Sequence, residues 1–73
     1  VEDPRAYVRI ADQVRQQITA GRLKVGQPVP SITTLTQDHG VARQTAAKAL
    51  QLLESEGLVY RVPGLGYYVS ERR

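Results

Sequence analysis

SITTLTQDHGVARQTAAKALQLLESEG, residues 31–57, is the stretch whose pattern decides the fold, and it divides at Gly40. Ser31 suits a helix N-cap, since its hydroxyl can accept a hydrogen bond from a first-turn amide that has no other partner. Ile32 and Leu35 then share a face up to His39, which predicts a short helix over 31–39 stopped by Gly40. Beyond the break Ala46, Ala49, Leu50 and Leu53 form one apolar stripe of helical period, which predicts a helix over 42–56 ended by Gly57. Only one or two residues, around Gly40 and Val41, separate the two helices. That is too few for an antiparallel pair with long parallel contacts, so the helices must cross steeply, as in a helix-turn-helix.

Working outward towards the N-terminus, Tyr7, Ile10, Ala11, Val14 and Ile18 recur at helical spacing with Asp12, Arg15 and Gln16 between them. A helix over 5–20 follows, with Pro4 in its first turn and Gly21 just past its end. The connector 22–28 contains Gly26 and Pro28 and cannot continue the helix; Leu23, Val25 and Val29 are expected to tuck into the core. Towards the C-terminus the period changes. Leu58, Tyr60 and Val62 alternate with Val59 and Arg61, Tyr67, Tyr68 and Val69 read as a second strand, and Pro63-Gly64-Leu65-Gly66 makes a tight turn between them. The expected fold is α+β, a winged helix-turn-helix in which three helices precede a two-stranded β-hairpin wing over 58–70. Residues 1–73 read as one domain, without internal repeats or low-complexity segments.

Composition narrows the function. The 41% hydrophobic and 23% charged content is ordinary for a globular domain. With no cysteine there is neither a disulfide nor a thiolate site, and the single His39 cannot make a metal centre alone, so no metal and no cofactor are expected. A catalytic role finds no support: there is no cysteine nucleophile, His39 has no evident catalytic partners, and no Gly-rich phosphate loop sits between a strand and a helix. His39 is expected to cap or pack near the turn. No apolar run approaches the roughly 20 residues that span a bilayer, and no signal-peptide pattern opens the chain, so a cytoplasmic location with no membrane partner is expected. The first residue is Val1, which suggests a piece of a longer protein. The net charge of +3 suits an anionic partner only weakly. Placement says more: Glu2, Asp3 and Glu71 lie near the ends and Glu54 and Glu56 at a helix end, whereas Arg43 and Lys48 fall on the second helix of the helix-turn-helix and Arg61 on the hairpin.

The order Tyr7, Ile10, Ile18, Gly21, Leu23, Gly26, Val29-Pro30-Ser31, Leu35, Gly40-Val41-Ala42-Arg43-Gln44-Thr45, Ala49-Leu50, Leu53, Glu56-Gly57-Leu58-Val59, Gly64, Gly66 and Val69 resembles the DNA-binding domain of the GntR family of bacterial transcription regulators. Each piece occurs widely, but their order and spacing together are specific. The resemblance implies a repressor or activator whose winged helix binds operator DNA, a double-stranded and palindromic site. It also implies a separate C-terminal domain that binds a small metabolite and mediates homodimerisation. That domain lies outside these 73 residues, so the effector is not expected to bind here and the piece alone is expected to be monomeric.

By the same resemblance Arg43 and Thr45 match positions at the start of the recognition helix that contact DNA. Arg43 suits a bidentate pair with guanine O6 and N7, against a merely solvated arginine. Thr45 suits a phosphate or a thymine methyl, against a bond to an i−4 carbonyl. From the helix wheel, Gln44, Lys48 and Gln51 lie opposite the apolar stripe, which suits adenine readout by Gln44 and a phosphate contact by Lys48, against an ordinary wet face. Ser31 stands at an amide-rich helix start that attracts phosphate, compatible with its role as cap. Thr33 and Thr34 are further phosphate candidates. In the wing Gly64 and Gly66 would let the backbone approach the minor groove or sugar-phosphate backbone beside Arg61 or Tyr68, or simply satisfy a turn needing positive φ. Three residues depart from the family: Thr33 stands where many members have an arginine, Ala42 where a Ser or Thr is usual, and Ala47 where the side chain is bulkier. Fewer contacts imply weak binding by the isolated domain and reliance on dimer avidity. The rival reading is a winged helix used for protein or RNA contact, for which the outer face should be apolar; only Leu52 argues that way.

Overall fold

The computed structural model describes residues 5–71 as α1 (Ala6–Thr19), α2 (Ile32–His39), α3 (Arg43–Ser55), β1 (Val59–Val62) and β2 (Gly66–Val69). The winged helix-turn-helix architecture expected from the sequence is the one observed, with helix ends within a residue of the expected bounds. Pro4, Glu2 and Asp3 lie outside the described residues.

The core forms where the helical stripes meet. Ile10, Ala11 and Val14 of α1 join Ala46, Ala49, Leu50 and Leu53 of α3, with Leu35 supplied by α2 and Val29, Leu58, Val59 and Val69 by the connector and hairpin. Ala11, Ala46 and Ala49 are wholly buried. Side chains this small let helices approach closely, towards the lower end of the roughly 8–10 Å range of packed axes. At the surface Arg15 clips α1 to the end of α3. Its Nε and Nη2 donate to the two carboxylate oxygens of Glu56 at 3.0 and 2.9 Å, and Nη1 donates to Asp12. Burial works against the guanidinium charge, but the hydrogen bonds and attraction of Glu56 and Asp12 outweigh it and hold the Arg15 pKa above its ordinary value. The pair is partly exposed, so it contributes at most about 1 kcal/mol.

Helix α3 ends in a Schellman motif: Gly57 at φ 81 donates to the Glu54 carbonyl at 3.0 Å, and the Leu58 amide donates to Leu53 at 3.1 Å. This turn explains a departure from the expected alternation in the first strand. Leu58 belongs to the helix cap, so Leu58 and Val59 are both buried and Tyr60 faces outward, 45% exposed. The strands pair antiparallel with Val59 opposite Val69 and Val62 opposite Gly66. Ser70 secures the far end, its hydroxyl donating to the Gly57 carbonyl at 2.6 Å.

The connector differs most from expectation. Val29 is buried and Leu23 packs against the core, but Val25 is 62% exposed. The cause is a turn in which the Gln27 amide donates to Lys24 at 2.9 Å, leaving Val25 at the corner before Gly26 (φ 87). The chain then runs beside β2. Gly26 donates to the Val69 carbonyl, Val69 to Gln27 and Val29 to Tyr67, each at 2.9–3.0 Å, with Pro28 bridging antiparallel to Tyr68. The two-stranded wing therefore carries a short third edge that tethers it to the helical body.

Candidate nucleic-acid interface

The start of α2 is built from hydroxyls. Ser31 has an extended backbone, and its Oγ accepts from the Thr34 amide at 3.1 Å while donating to Thr34 Oγ1 at 3.0 Å. Ser31→Ala should therefore destabilise the domain by about 1 kcal/mol, read as a lower urea midpoint at unchanged slope. One turn on, Thr36 Oγ1 donates to the Thr33 carbonyl at 2.6 Å. Thr33 is exposed, and its Oγ1 accepts a hydrogen bond from Arg43 Nη1 at 3.3 Å. The threonine expected to meet a phosphate thus touches the arginine expected to read a base.

Between the helices Gly40 adopts the left-handed conformation at φ 65, and its amide donates to Thr36 at 2.9 Å. A residue with a Cβ is disfavoured there, and the reversal it produces lets α3 begin three residues later, at Arg43. Ala42 is the N-cap of α3 and provides no side-chain cap bond, as its short side chain dictates. Arg43 and Gln44 are exposed in the first turn, and Thr45 is half-buried. Along the helix Gln44, Lys48 and Gln51 form an exposed polar row opposite the buried Ala46, Ala49, Leu50 and Leu53. Ala47 and Leu52 flank it half-buried, and Leu52 packs against the core. The apolar surface that a protein-docking face would need is not supplied by Leu52.

Lys48 is not simply extended into solvent. Its Nζ lies 4.5 Å from the centroid of the Tyr7 ring, a cation–π contact worth about 0.5–1 kcal/mol at an exposed site. The ring covers one side of the ammonium, and with three N–H donors the group still has donors on its open side for an anion. Tyr7 is a participant that sequence reasoning took only for core. Nothing in the helical spacing could have signalled the pair, because its members lie on different helices.

On the hairpin Arg61 is exposed, opposite Tyr67 in the strand register, and no acidic side chain among the described residues pairs with it. The Tyr60 and Tyr68 rings stack with centroids 6.1 Å apart. The Leu65 amide donates to Val62 at 3.0 Å across Pro63 and Gly64, with Gly64 at φ 82, as a type II turn requires; Gly66 follows at φ 112. A Cβ at either glycine would meet nothing within 4 Å, so backbone conformation rather than crowding within the chain calls for glycine. Leu65, at the tip, is 70% exposed. Arg61, Gly64 and Gly66 thus share the wing, while Ser31, Thr33, Arg43, Gln44, Thr45 and Lys48 lie on α2 and α3. His39 is half-buried at the end of α2, in a shallow depression lined also by Ala6, Arg9, Ile10, Gln13 and Val41. Among the described residues no three His, Asp or Glu side chains are grouped as metal ligands would be.

Residues 6–69 match the sequence profile described as "Bacterial regulatory proteins, gntR family". The chain is 39% identical over 67 residues to the mannosyl-D-glycerate transport/metabolism system repressor MngR of Escherichia coli (strain K12), covering 92% of this chain and 28% of that protein. It is 38% identical over 65 residues to the HTH-type transcriptional repressor NagR of Bacillus subtilis (strain 168), covering 89% and 27% respectively. The chain therefore spans little more than a quarter of these relatives' length. Its fold is similar to that of AraR(DBD) in complex with operator ORR3, with a TM-score of 0.84 and 34% identity over 88% of this chain and 77% of that one. For AraR(DBD) in complex with operator ORE1 the TM-score is 0.86, at 33% identity over 94% and 83% of the two chains.

Proposed function

The chain belongs to the gntR family of bacterial regulatory proteins, and on that premise we propose that it is the operator-reading domain of a transcription regulator, binding double-stranded DNA by sequence. The observation that carries this reading is the exposed polar row Gln44, Lys48 and Gln51 headed by Arg43, presented by a helix whose other side is wholly buried. Helix α3 enters the major groove N-terminus first. Arg43 donates to guanine O6 and N7, Gln44 pairs with adenine N6 and N7, and Thr45 meets a phosphate or a thymine methyl. Ser31 and Lys48 face the sugar-phosphate backbone, and Thr33 stands beside Arg43. The hairpin follows the adjacent backbone or minor groove through Arg61 and the Gly64–Gly66 turn.

Repression is the mode of action that fits MngR and NagR, both named repressors. A second domain, for which the greater length of these relatives leaves room, supplies dimerisation on a palindromic operator and binds a small effector. The relatives are regulators and no residue here is assigned a catalytic role. No described helix is long and apolar enough to cross a membrane, and the cytoplasm is the compartment in which the domain works.

Titration of the labelled domain with a palindromic duplex, followed by NMR, tests the reading. Amide shifts are expected to concentrate on Ser31, residues 43–48 and the wing. Shifts that avoid this surface, or saturation by RNA or protein ligands alone, would overturn it.

A further inference from the structure

We propose that Thr33 is a positioning residue that sets the direction of the Arg43 side chain, and through it the base preference of the domain; the proposal rests on the DNA-reading role given above. Arg43 is the first residue of α3, is exposed, and has a long side chain with many rotamers. A bidentate contact with guanine needs the planar guanidinium to point in one direction, and ordering such a side chain only on binding weakens the contact. Thr33 supplies an anchor from the neighbouring helix, since its Oγ1 accepts from Arg43 Nη1 at 3.3 Å.

The anchor is itself held in place. Thr33 lies in the first turn of α2, whose start is tied by the two Ser31–Thr34 bonds, and its carbonyl accepts from Thr36 Oγ1 at 2.6 Å. As a β-branched residue in a helix it has few χ1 options. The bond to Thr33 occupies one of five guanidinium N–H donors, so a pair of parallel donors remains for a base edge. Thr33 therefore acts through Arg43 rather than by meeting a phosphate itself, and it does so from a position ten residues earlier on a different helix.

The test uses the 73-residue chain and a duplex that it selects from a random-sequence library, compared with a scrambled duplex at one salt concentration. Thr33→Val keeps the shape and removes the acceptor. It should reduce the ratio of selected to scrambled affinity by about threefold to tenfold, whereas Thr33→Ser should restore most of it. In an Arg43→Ala background Thr33→Val should have no further effect, which makes the pair non-additive. A threonine that contacts phosphate directly would lose the same factor in both backgrounds, and would lose it on the scrambled duplex too; either result overturns the proposal. In the free protein, NMR relaxation of the Arg43 side-chain Nε–H should show faster motion in Thr33→Val than in wild type. That readout needs no DNA. A wild-type chain that selects no duplex would end the DNA-reading role, while unchanged Arg43 mobility would end the positioning role by itself.

Discussion

Leu53→Ala should lower the unfolding free energy by about 2–5 kcal/mol. Leu53 has no exposed surface and lies where α3 meets the rest of the core, and its carbonyl accepts from Leu58 at the turn into the hairpin. Truncation would remove buried contacts and leave a cavity that neighbours held by helix and strand bonds can fill only in part. A chain of 73 residues is expected to have only about 4–11 kcal/mol of stability in all, so the loss is a large share of it. A circular-dichroism melt should show a midpoint lower by roughly 10–30 °C. Val25→Ala is the control: with 62% of its surface exposed, it should change stability by less than about 0.5 kcal/mol. Equal effects at the two positions would contradict the core described here.

Arg43→Ala and Lys48→Ala should damage DNA binding in different ways. Loss of a bidentate arginine removes discrimination between the right and wrong base worth about 1–3 kcal/mol, which is roughly 5- to 150-fold. The effect should fall on the preferred duplex and barely on a scrambled one. Lys48→Ala should weaken both similarly and reduce the slope of log affinity against log salt by about 1, as expected of a phosphate contact. Because Lys48 also rests on the Tyr7 ring, its removal should lower stability slightly, and affinities must be compared where both variants are folded. Equal losses on both duplexes from Arg43→Ala would reassign that arginine to the backbone of the DNA.

These expectations draw on two kinds of information. The helices, their ends and the turn at Gly40 were legible in the chain because each is decided within a few residues. A stripe of Ala46, Ala49, Leu50 and Leu53 marks its own helix, Ser31 caps the amide three residues on, and Gly40 and Gly57 end helices by their own dihedral preference. The polar row of Gln44, Lys48 and Gln51 was legible for the same reason, as the complement of the buried stripe.

What the tertiary structure alone decided is which surfaces meet. Val25 reads as apolar and yet stands at an exposed turn, while the backbone beyond it adds a third edge to the wing through bonds that carry no side-chain signature. Lys48 rests on Tyr7 of α1, Arg15 reaches Glu56, and Arg43 is held by Thr33. Periodicity and capping act over one or two turns, so the residues themselves determined a winged helix-turn-helix with a polar reading face. The aim of the side chains on that face depends on how steeply α2 and α3 cross and how closely α1 packs, and those are properties of the shared core.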